Sequence, residues 1–137
     1  MKIAMYLIVL IVLVVIGFAV YVRLAPTDVA QWHQPIDATE DRAFSKGAIR
    51  VLDADSATFE KVNAALLALP RTRVLAGSVD DGLSTYVTRS QLWGFPDYTT
   101  VQFSDGALKL FGRLRFGGSD LGVNAARIAL VLAAVEG

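Results

Sequence analysis

FGRLRFGGSDLGVNAARI, residues 111–128, contains the change from strand to helix that decides the fold. Its first residues alternate as in a strand, and after two glycines an apolar run with helical spacing follows. The glycines at 117–118 let the chain turn out of a sheet, and Ser119 or Asp120 can cap the helix that follows. The stretch therefore predicts a last strand followed by a closing helix over residues 120–135.

The predicted last strand has two different faces. By alternation, the side under the helices carries Leu108, Leu110, Leu114 and Phe116, and the other side carries Lys109, Phe111, Arg113 and Arg115. The cations of the second face form a positive stripe that could hold a carboxylate, a phosphate headgroup or an acidic partner. Alternatively, they only solvate the sheet, with Asp97, Asp105 and Asp120 neutralising them. Arg89 belongs to this stripe only if its strand faces the same way, which alternation leaves open.

The rest of the folded part contains a run of strands and one further helix. Asp80-Asp81-Gly82 and Asp105-Gly106 are hairpin signals, and Pro70 ends the first helix. Strands are predicted over 48–54, 72–79, 83–93, 98–104 and 107–116, with a helix over 57–69. The order β-α-β-β-β-β-α predicts an α+β two-layer sandwich with an antiparallel sheet.

Residues 3–22 form an uncharged apolar run long enough, as a helix, to span a bilayer. A cleaved secretory signal is the alternative, but Gly17-Phe18-Ala19 is a weak cleavage site followed by bulky residues. We expect residues 1–23 to be an uncleaved anchor with its N-terminus inside and the domain exported to the periplasm of a bacterial inner membrane. The charge bias of Lys2 against Arg23 is weak support for this orientation.

Residues 24–46 contain two prolines and little periodicity, so we expect an extended linker before a domain over 47–137. Removing Lys2 and Arg23 from the 13 basic residues leaves 11 against 13 acidic ones. This balance argues against nucleic acid as a partner, since phosphate backbones require a basic footprint.

The residues that commonly carry catalysis or bind transition metals are scarce. The chain has no cysteine, and its single histidine, His33, lies in the predicted linker. Thiolate sites, histidine–cysteine metal sites and a Ser-His-Asp triad are therefore not expected. The carboxylate pairs Asp53/Asp55 and Asp80/Asp81 are explained by a helix cap and a hairpin turn. We predict no catalytic residue, no metal and no cofactor.

The closing helix is apolar over more than one stripe. Its apolar side chains are Leu121, Val123, Ile128, Leu130, Val131, Leu132 and Val135. Such a helix is buried on more than one side, either in a deep groove of the domain or against a second protein or the membrane surface.

Three segments together resemble a known family: RLAPTDVAQWH (23–33), TYVTRSQLWGFPDYTTV (85–101) and GRLRFGGSDLGVNAARI (112–128). They are similar to the domain of unknown function 1499 family, small bacterial and plastid proteins that are often exported or membrane-anchored. The resemblance implies the identity of the domain and no reaction. It draws attention to the polar residues of the recurring motif, which are Arg89, Asp97, Arg113, Arg115, Ser119, Asp120 and Asn124.

From these observations we expect a membrane-anchored binding domain, an accessory or assembly subunit among other inner-membrane proteins. The alternative is a binder of a small anionic ligand or lipid headgroup at the arginine face, under the loop that ends at Tyr98. The candidate binding residues are Arg89, Asp97, Tyr98, Arg113, Arg115, Ser119, Asp120 and Asn124.

Overall fold

The structure is a computed structural model that describes residues 1–137. It contains an N-terminal apolar helix followed by an α+β domain, as the sequence predicts. The helices are α1 (Lys2–Leu24), α2 (Val29–Trp32), α3 (Ser56–Leu67) and α4 (Val123–Glu136). The strands are β1 (Arg42–Phe44), β2 (Gly47–Asp53), β3 (Thr72–Ser78), β4 (Leu83–Arg89), β5 (Pro96–Ser104) and β6 (Ala107–Leu114).

All six strands form one antiparallel sheet in the order β1-β2-β6-β5-β4-β3. The last four strands follow one another as hairpins, so only β2 reaches its neighbour β6 through a long connection. The two short elements α2 and β1 were not predicted, because four and three residues are too few to show a period.

One face of the sheet is covered by α3 and α4, which enclose the main core. Its fully buried members are Phe59, Val62, Leu66, Tyr86, Val101, Leu108, Leu110, Ile128 and Val131. The burial of Leu108 and Leu110 confirms the predicted inner face of β6. The burial of Tyr86 in the same core shows which face of β4 lies under the helices. Each large apolar side chain buried here contributes about 1.5–3 kcal/mol to folding.

The strand β4 is shorter than the predicted segment 83–93 because residues 90–95 form a tight loop. The Ser90 N–H donates to the Phe95 carbonyl at 3.0 Å, and the Phe95 N–H donates to Ser90 Oγ at 3.0 Å. Gly94 has φ +72°, which a residue without a side chain adopts at little cost. This loop, residues 90–95, is called the tip loop below.

The turn before α4 has the predicted capping chemistry, although the helix begins three residues later than expected. Asp120 accepts hydrogen bonds from the backbone N–H groups of Gly122 (2.9 Å) and Asn124 (3.0 Å). Gly122, with φ +80°, is the residue at the cap position itself. The carboxylate therefore occupies the positive end of the helix, where an external anion would otherwise bind.

The predicted linker, residues 24–46, packs on the domain: residues 25–41 lie across the face of the sheet opposite α3 and α4, and residues 42–44 join the sheet as β1. Trp32 stacks on Tyr98 with ring centroids 4.3 Å apart, and Ile36 is buried with its N–H donating to Gln102 Oε1 at 2.6 Å. The segment is called the stem below. The sheet is thus covered on both faces, by helices on one and by the stem on the other.

Candidate functional site

The register of the sheet places Arg89, Arg113 and Arg115 together on the stem side. Thr85 and Arg89 share one face of β4, and Thr85 Oγ1 lies 2.9 Å from Thr100 Oγ1 on β5. Arg113 donates to the same Thr100 hydroxyl at 2.8 Å. The parity that the sequence left open is therefore resolved, and Arg89 does join the arginine stripe.

Each of these three arginines donates to a backbone carbonyl of the chain that runs from α1 into the stem. Arg89 Nη1 donates to the Val22 carbonyl at 3.3 Å, and Arg115 Nη2 donates to the Pro26 carbonyl at 2.9 Å. Arg113 Nη2 donates to the Trp32 carbonyl. We call Arg89, Arg113 and Arg115 the arginine clamp, because together they fasten the end of α1 and the stem to the sheet.

Arg113 is the most deeply placed member of the clamp. Only 8% of the residue is exposed, and its guanidinium carbon lies 4.4 Å from the centroid of Phe111 and 5.5 Å from that of Trp32. Burial lowers the pKa of Arg113 to about 10, so the group remains charged at neutral pH. Carbonyls, a hydroxyl and aromatic faces compensate this charge in place of a carboxylate.

The prediction that Asp97, Asp105 and Asp120 neutralise the arginine stripe is wrong. None of the clamp arginines forms a salt bridge. The charge of the clamp is instead taken up by carbonyl dipoles, which sequence patterning does not reveal.

Asp97 and Asp120 belong to a polar cluster on the helix side of the sheet. Asp97 accepts from Arg127 Nη1 at 3.3 Å and from Asn124 Nδ2 at 3.4 Å, and Asp120 accepts from Asn124 Nδ2 at 2.9 Å. Asn124 is fully buried and also accepts from Arg127 at 2.7 Å. Arg127, which is not among the residues predicted from the sequence, is thus the cation of this cluster.

The two carboxyl groups of the cluster differ in their pKa. Burial raises the pKa of Asp97, and the nearby Arg127 only partly offsets this effect. Burial also acts to raise the pKa of Asp120, but hydrogen bonds from Asn124 and Gly122 prevail, so that its pKa lies below the ordinary value. The cluster is largely satisfied within itself, which is typical of a structural network.

The remaining predicted residues, Tyr98 and Ser119, lie on different sides of the sheet. Tyr98 is fully buried on the stem side, with its hydroxyl 3.1 Å from Thr27 Oγ1 and 3.3 Å from Arg115 Nη1. Ser119 is exposed and accepts from the Leu121 N–H at 3.2 Å. The predicted site residues therefore form two separate groups, the clamp with Tyr98 and the cluster beside α4.

A pocket of about 410 Å³ opens between β3, β4 and the end of α1. Four of its nine lining residues are arginines and none is acidic; the arginines are Arg23, Arg71, Arg73 and Arg89. We call it the arginine pocket. Sequence reasoning identified only Arg89, although the alternation in Arg71-Thr72-Arg73 was a signal that both outer residues share a face.

His33 lies against the sheet instead of apart from the domain. Its Nδ1 is 2.9 Å from Thr85 Oγ1, and a chain of hydrogen bonds runs on from Thr85 through Thr100 to Arg113. Thr85 is fully buried, so this chain of hydrogen bonds fixes the stem and offers no exposed nucleophile. No group of three His, Asp or Glu side chains is arranged to hold a metal ion.

An apolar N-terminal helix fastened by arginine–carbonyl bonds to a six-stranded antiparallel sheet defines the class, a small α+β domain with one helix able to cross a membrane. The chain belongs to the family described as protein of unknown function (DUF1499), whose model matches residues 25–135. The match begins at the stem, which the structure also joins to the sheet. A search of curated proteins finds no match to this chain.

Proposed function

We propose that this protein is a non-catalytic, membrane-anchored binding subunit. In this proposal α1 crosses the bacterial inner membrane with its N-terminus inside, and the domain works in the periplasm as an accessory or assembly subunit of a larger membrane complex. The observation that carries the proposal is the arginine clamp. Arg89 fastens the last turn of a helix long enough to span a bilayer, and Arg113 and Arg115 fasten the stem that follows it, so that the domain would have a fixed orientation at the membrane surface.

Contacts at the end of α1 support its role as a retained anchor. Val22 is buried against the domain, Phe18 meets Phe95 with ring centroids 6.1 Å apart, and Tyr21 meets Phe116 at 6.2 Å. Arg23 of α1 donates to the domain, to the Leu92 carbonyl at 2.7 Å. A segment that is removed during export has no need of such contacts.

Two exposed apolar surfaces support contact with other membrane proteins. Within the 23-residue helix α1 only Val22 is buried, so most of the helix surface is free to face lipid or another membrane helix. Leu121, just before α4, is 91% exposed, and Leu130, in the middle of α4, is 60% exposed, so the apolar excess of this helix is only partly covered by the domain.

The internal bonding of the polar residues favours binding over catalysis. Asp97, Asp120 and Arg127 are paired with one another through Asn124, and Arg113 and Arg115 are held by the stem. Groups engaged in this way hold the fold together and have little capacity left to move protons or to attack a substrate.

The test is extraction of the full chain in a mild detergent, followed by size analysis, mass measurement of the mature chain and identification of co-migrating proteins. We expect a complex much larger than the single chain, containing residues 3–22. The matched control shuffles the order of residues 3–16 at constant composition, which keeps the anchor but changes its contact surface. A chain that migrates alone in every mild detergent, or a mature chain without the apolar run, would contradict the proposal.

A second candidate is the binding of a small anion or lipid headgroup, and the arginine pocket favours it. Arg113 and Arg115, which the sequence suggested for this role, are held by the stem. Arg89, in contrast, contributes to a pocket whose other arginines come from α1 and β3.

A further inference from the structure

We propose that the arginine pocket binds the phosphate of an anionic phospholipid headgroup at the membrane surface. The pocket consists of Arg23, Arg71, Arg73 and Arg89 around a volume of about 410 Å³, which is in the usual range for small-ligand sites. The inference rests on the proposed membrane anchoring by α1, but it does not require that the protein be a subunit of a complex.

The pocket has hydrogen-bond donors that the protein itself does not use. Arg73 makes no side-chain hydrogen bond, and Arg71 uses only Nε, which donates to the Arg89 carbonyl at 3.0 Å. Arg89 uses only Nη1, for the carbonyls of Val22 and Gly94. None of the four arginines has a carboxylate partner. Arg23 uses both of its Nη atoms, for the carbonyls of Ala19 and Leu92, so it contributes charge to the pocket, while Arg71, Arg73 and Arg89 contribute the unused donors. Guanidinium groups without an anion match the charge and the oxygen geometry of a phosphate.

The backbone of Arg71 is a second observation that points to a ligand role. It has φ +56°, a left-handed conformation that costs a residue with a side chain about 1–2 kcal/mol. Glycine would adopt this conformation freely, and Arg71 follows Pro70 at the start of β3, where a turn residue is expected. Strain of this kind at the edge of a pocket often accompanies a functional site.

The tip loop places the pocket at the level of lipid headgroups. Phe95 contacts Phe18, which lies five residues, or about 7.5 Å, before Arg23 along α1. An apolar recess lined by Val14, Val15, Phe18, Trp93 and Phe95 follows the helix in the same direction. Leu92, in the middle of the tip loop, is 75% exposed.

The length of α1 sets the position of the bilayer relative to this loop. The helix measures about 34 Å for its 23 residues, against about 30 Å for the hydrocarbon core. Its last turn, with Arg23, therefore lies at the interface, while Leu92 and Trp93 meet the region where acyl chains begin. Arg71, Arg73 and Arg89 then face the phosphates directly above, as cations do beside an apolar membrane surface.

The same guanidinium groups would also accept a soluble phosphate. The position of the pocket beside the tip loop favours the phosphate of a phospholipid over a soluble one. Ser90, Gln91 and Gly94 belong both to the pocket lining and to the tip loop. A ligand in the pocket is thus beside residues that contact lipid, and a phospholipid reaches it without leaving the bilayer.

The experiment uses the full chain in nanodiscs that contain phosphatidylcholine and phosphatidylglycerol, with retained lipid counted by native mass spectrometry after transfer to detergent. The test variant is the double substitution Arg71→Gly and Arg73→Gln, which removes two charges, relieves the left-handed strain and breaks one hydrogen bond. The matched control is Arg42→Gln with Arg50→Gln. It removes the same charge at β1 and β2, across the sheet from β3.

We expect the native chain and the control to retain phosphatidylglycerol in preference to phosphatidylcholine. The double variant should retain about 30-fold less, since each arginine near an anionic surface is worth about a factor of five. A thermal melt of each variant confirms the fold. Equal retention by the native chain and the double variant would overturn the proposal. So would competition in which inorganic phosphate binds the pocket and phosphatidylglycerol does not, because the ligand would then be soluble.

This result is distinct from the outcome of the subunit test. A chain that migrates alone but retains phosphatidylglycerol contradicts the subunit proposal and supports the lipid site. A chain that brings a partner but shows no lipid preference supports the subunit proposal and contradicts the lipid site.

Discussion

Arg113 is a buried cation held by oxygen atoms that carry no formal charge. Its donors reach the Thr100 hydroxyl at 2.8 Å, the Phe111 carbonyl at 3.1 Å and the Trp32 carbonyl. Lysine has the same charge but no planar fork, so Arg113→Lys leaves at least one of these acceptors unpaired in a buried site. We expect a loss of about 2 kcal/mol in the free energy of unfolding. Urea denaturation of the full chain in detergent measures it.

The matched control for this substitution is Arg42→Lys, on the exposed edge strand β1. Surface substitutions of this kind change stability by less than about 0.5 kcal/mol. Equal stability of the two lysine variants would mean that the clamp contributes nothing specific at Arg113.

Asp120 and Asp97 give the cluster beside α4 opposite responses to pH. The pKa of Asp120 is lower in the folded chain, so its stabilisation is present above its ordinary pKa and is lost as the pH falls through the folded value. The pKa of Asp97 is raised by burial, so protonation of Asp97 in that acidic range favours the folded state. The net change in the free energy of unfolding at acidic pH is therefore the difference between the effects of Asp120 and Asp97.

Asp120→Asn tests the contribution of Asp120 to this balance. At pH 7 we expect a loss of about 1 kcal/mol, because asparagine has a single acceptor oxygen where both carboxylate oxygens of Asp120 accept hydrogen bonds. The difference from the native chain should shrink as the pH falls below about 3.8, since native Asp120 is then losing its charge as well. Denaturation midpoints between pH 3 and 7 give the comparison. A difference that stays constant over this range would show that the charge of Asp120 has no role in the cap.

The packing of α4 on the sheet depends on a close contact between α4 and β6. A side chain on Gly112 of β6 would lie 3.0 Å from Asn124 Oδ1 and 3.1 Å from Asn124 Cβ. Both positions are buried, so Gly112→Ala requires Asn124 to move by a few tenths of an ångström and disturbs its bonds to Asp97 and Asp120. We expect a loss of about 1–3 kcal/mol, as for overpacking in a core, measured by thermal melting.

Gly118→Ala is the control for this substitution, because a side chain there meets nothing within 4 Å and its φ is not in the left-handed range. If Gly118→Ala destabilises the chain as much as Gly112→Ala does, the loss of stability comes from replacing a glycine as such and not from the packing of α4 on β6.

The elements that the sequence predicts are those with a local period. The alternation of Leu108 and Leu110 identifies the inner face of β6, and the run from residue 120 identifies α4. The stem over the sheet was not predictable, since Trp32, Ile36 and His33 gain their partners only across more than 50 residues of sequence. The same holds for the arginine pocket, which exists only when β3 pairs with β4 and α1 is held against both.

At the scale of the whole molecule, the stem and the clamp make α1 and the domain one unit. Arg89 connects the end of α1 to β4, and Arg115 connects the first residues of the stem to β6. The tip loop is fixed between them by Arg23. With α1 in the bilayer, as proposed, a domain held in this way would present one edge to the membrane, in contrast to a domain on a flexible tether, which would present every face in turn.

The fixed orientation predicts which residues contact lipid. The chain has no cysteine, so single cysteines carrying a fluorophore can be placed at Leu92→Cys in the tip loop and at Asp80→Cys in the β3–β4 hairpin. The two positions lie at opposite ends of β4, whose seven residues span about 23 Å. In vesicles whose acyl chains carry a spin-label quencher, we expect strong quenching at 92 and little at 80. Adding Arg89→Gln and Arg115→Gln should reduce the difference between the sites, because the clamp then no longer fixes the domain. Equal quenching at both sites in the native chain would mean that the domain moves freely above the membrane, and the proposed level of the arginine pocket would lose its basis.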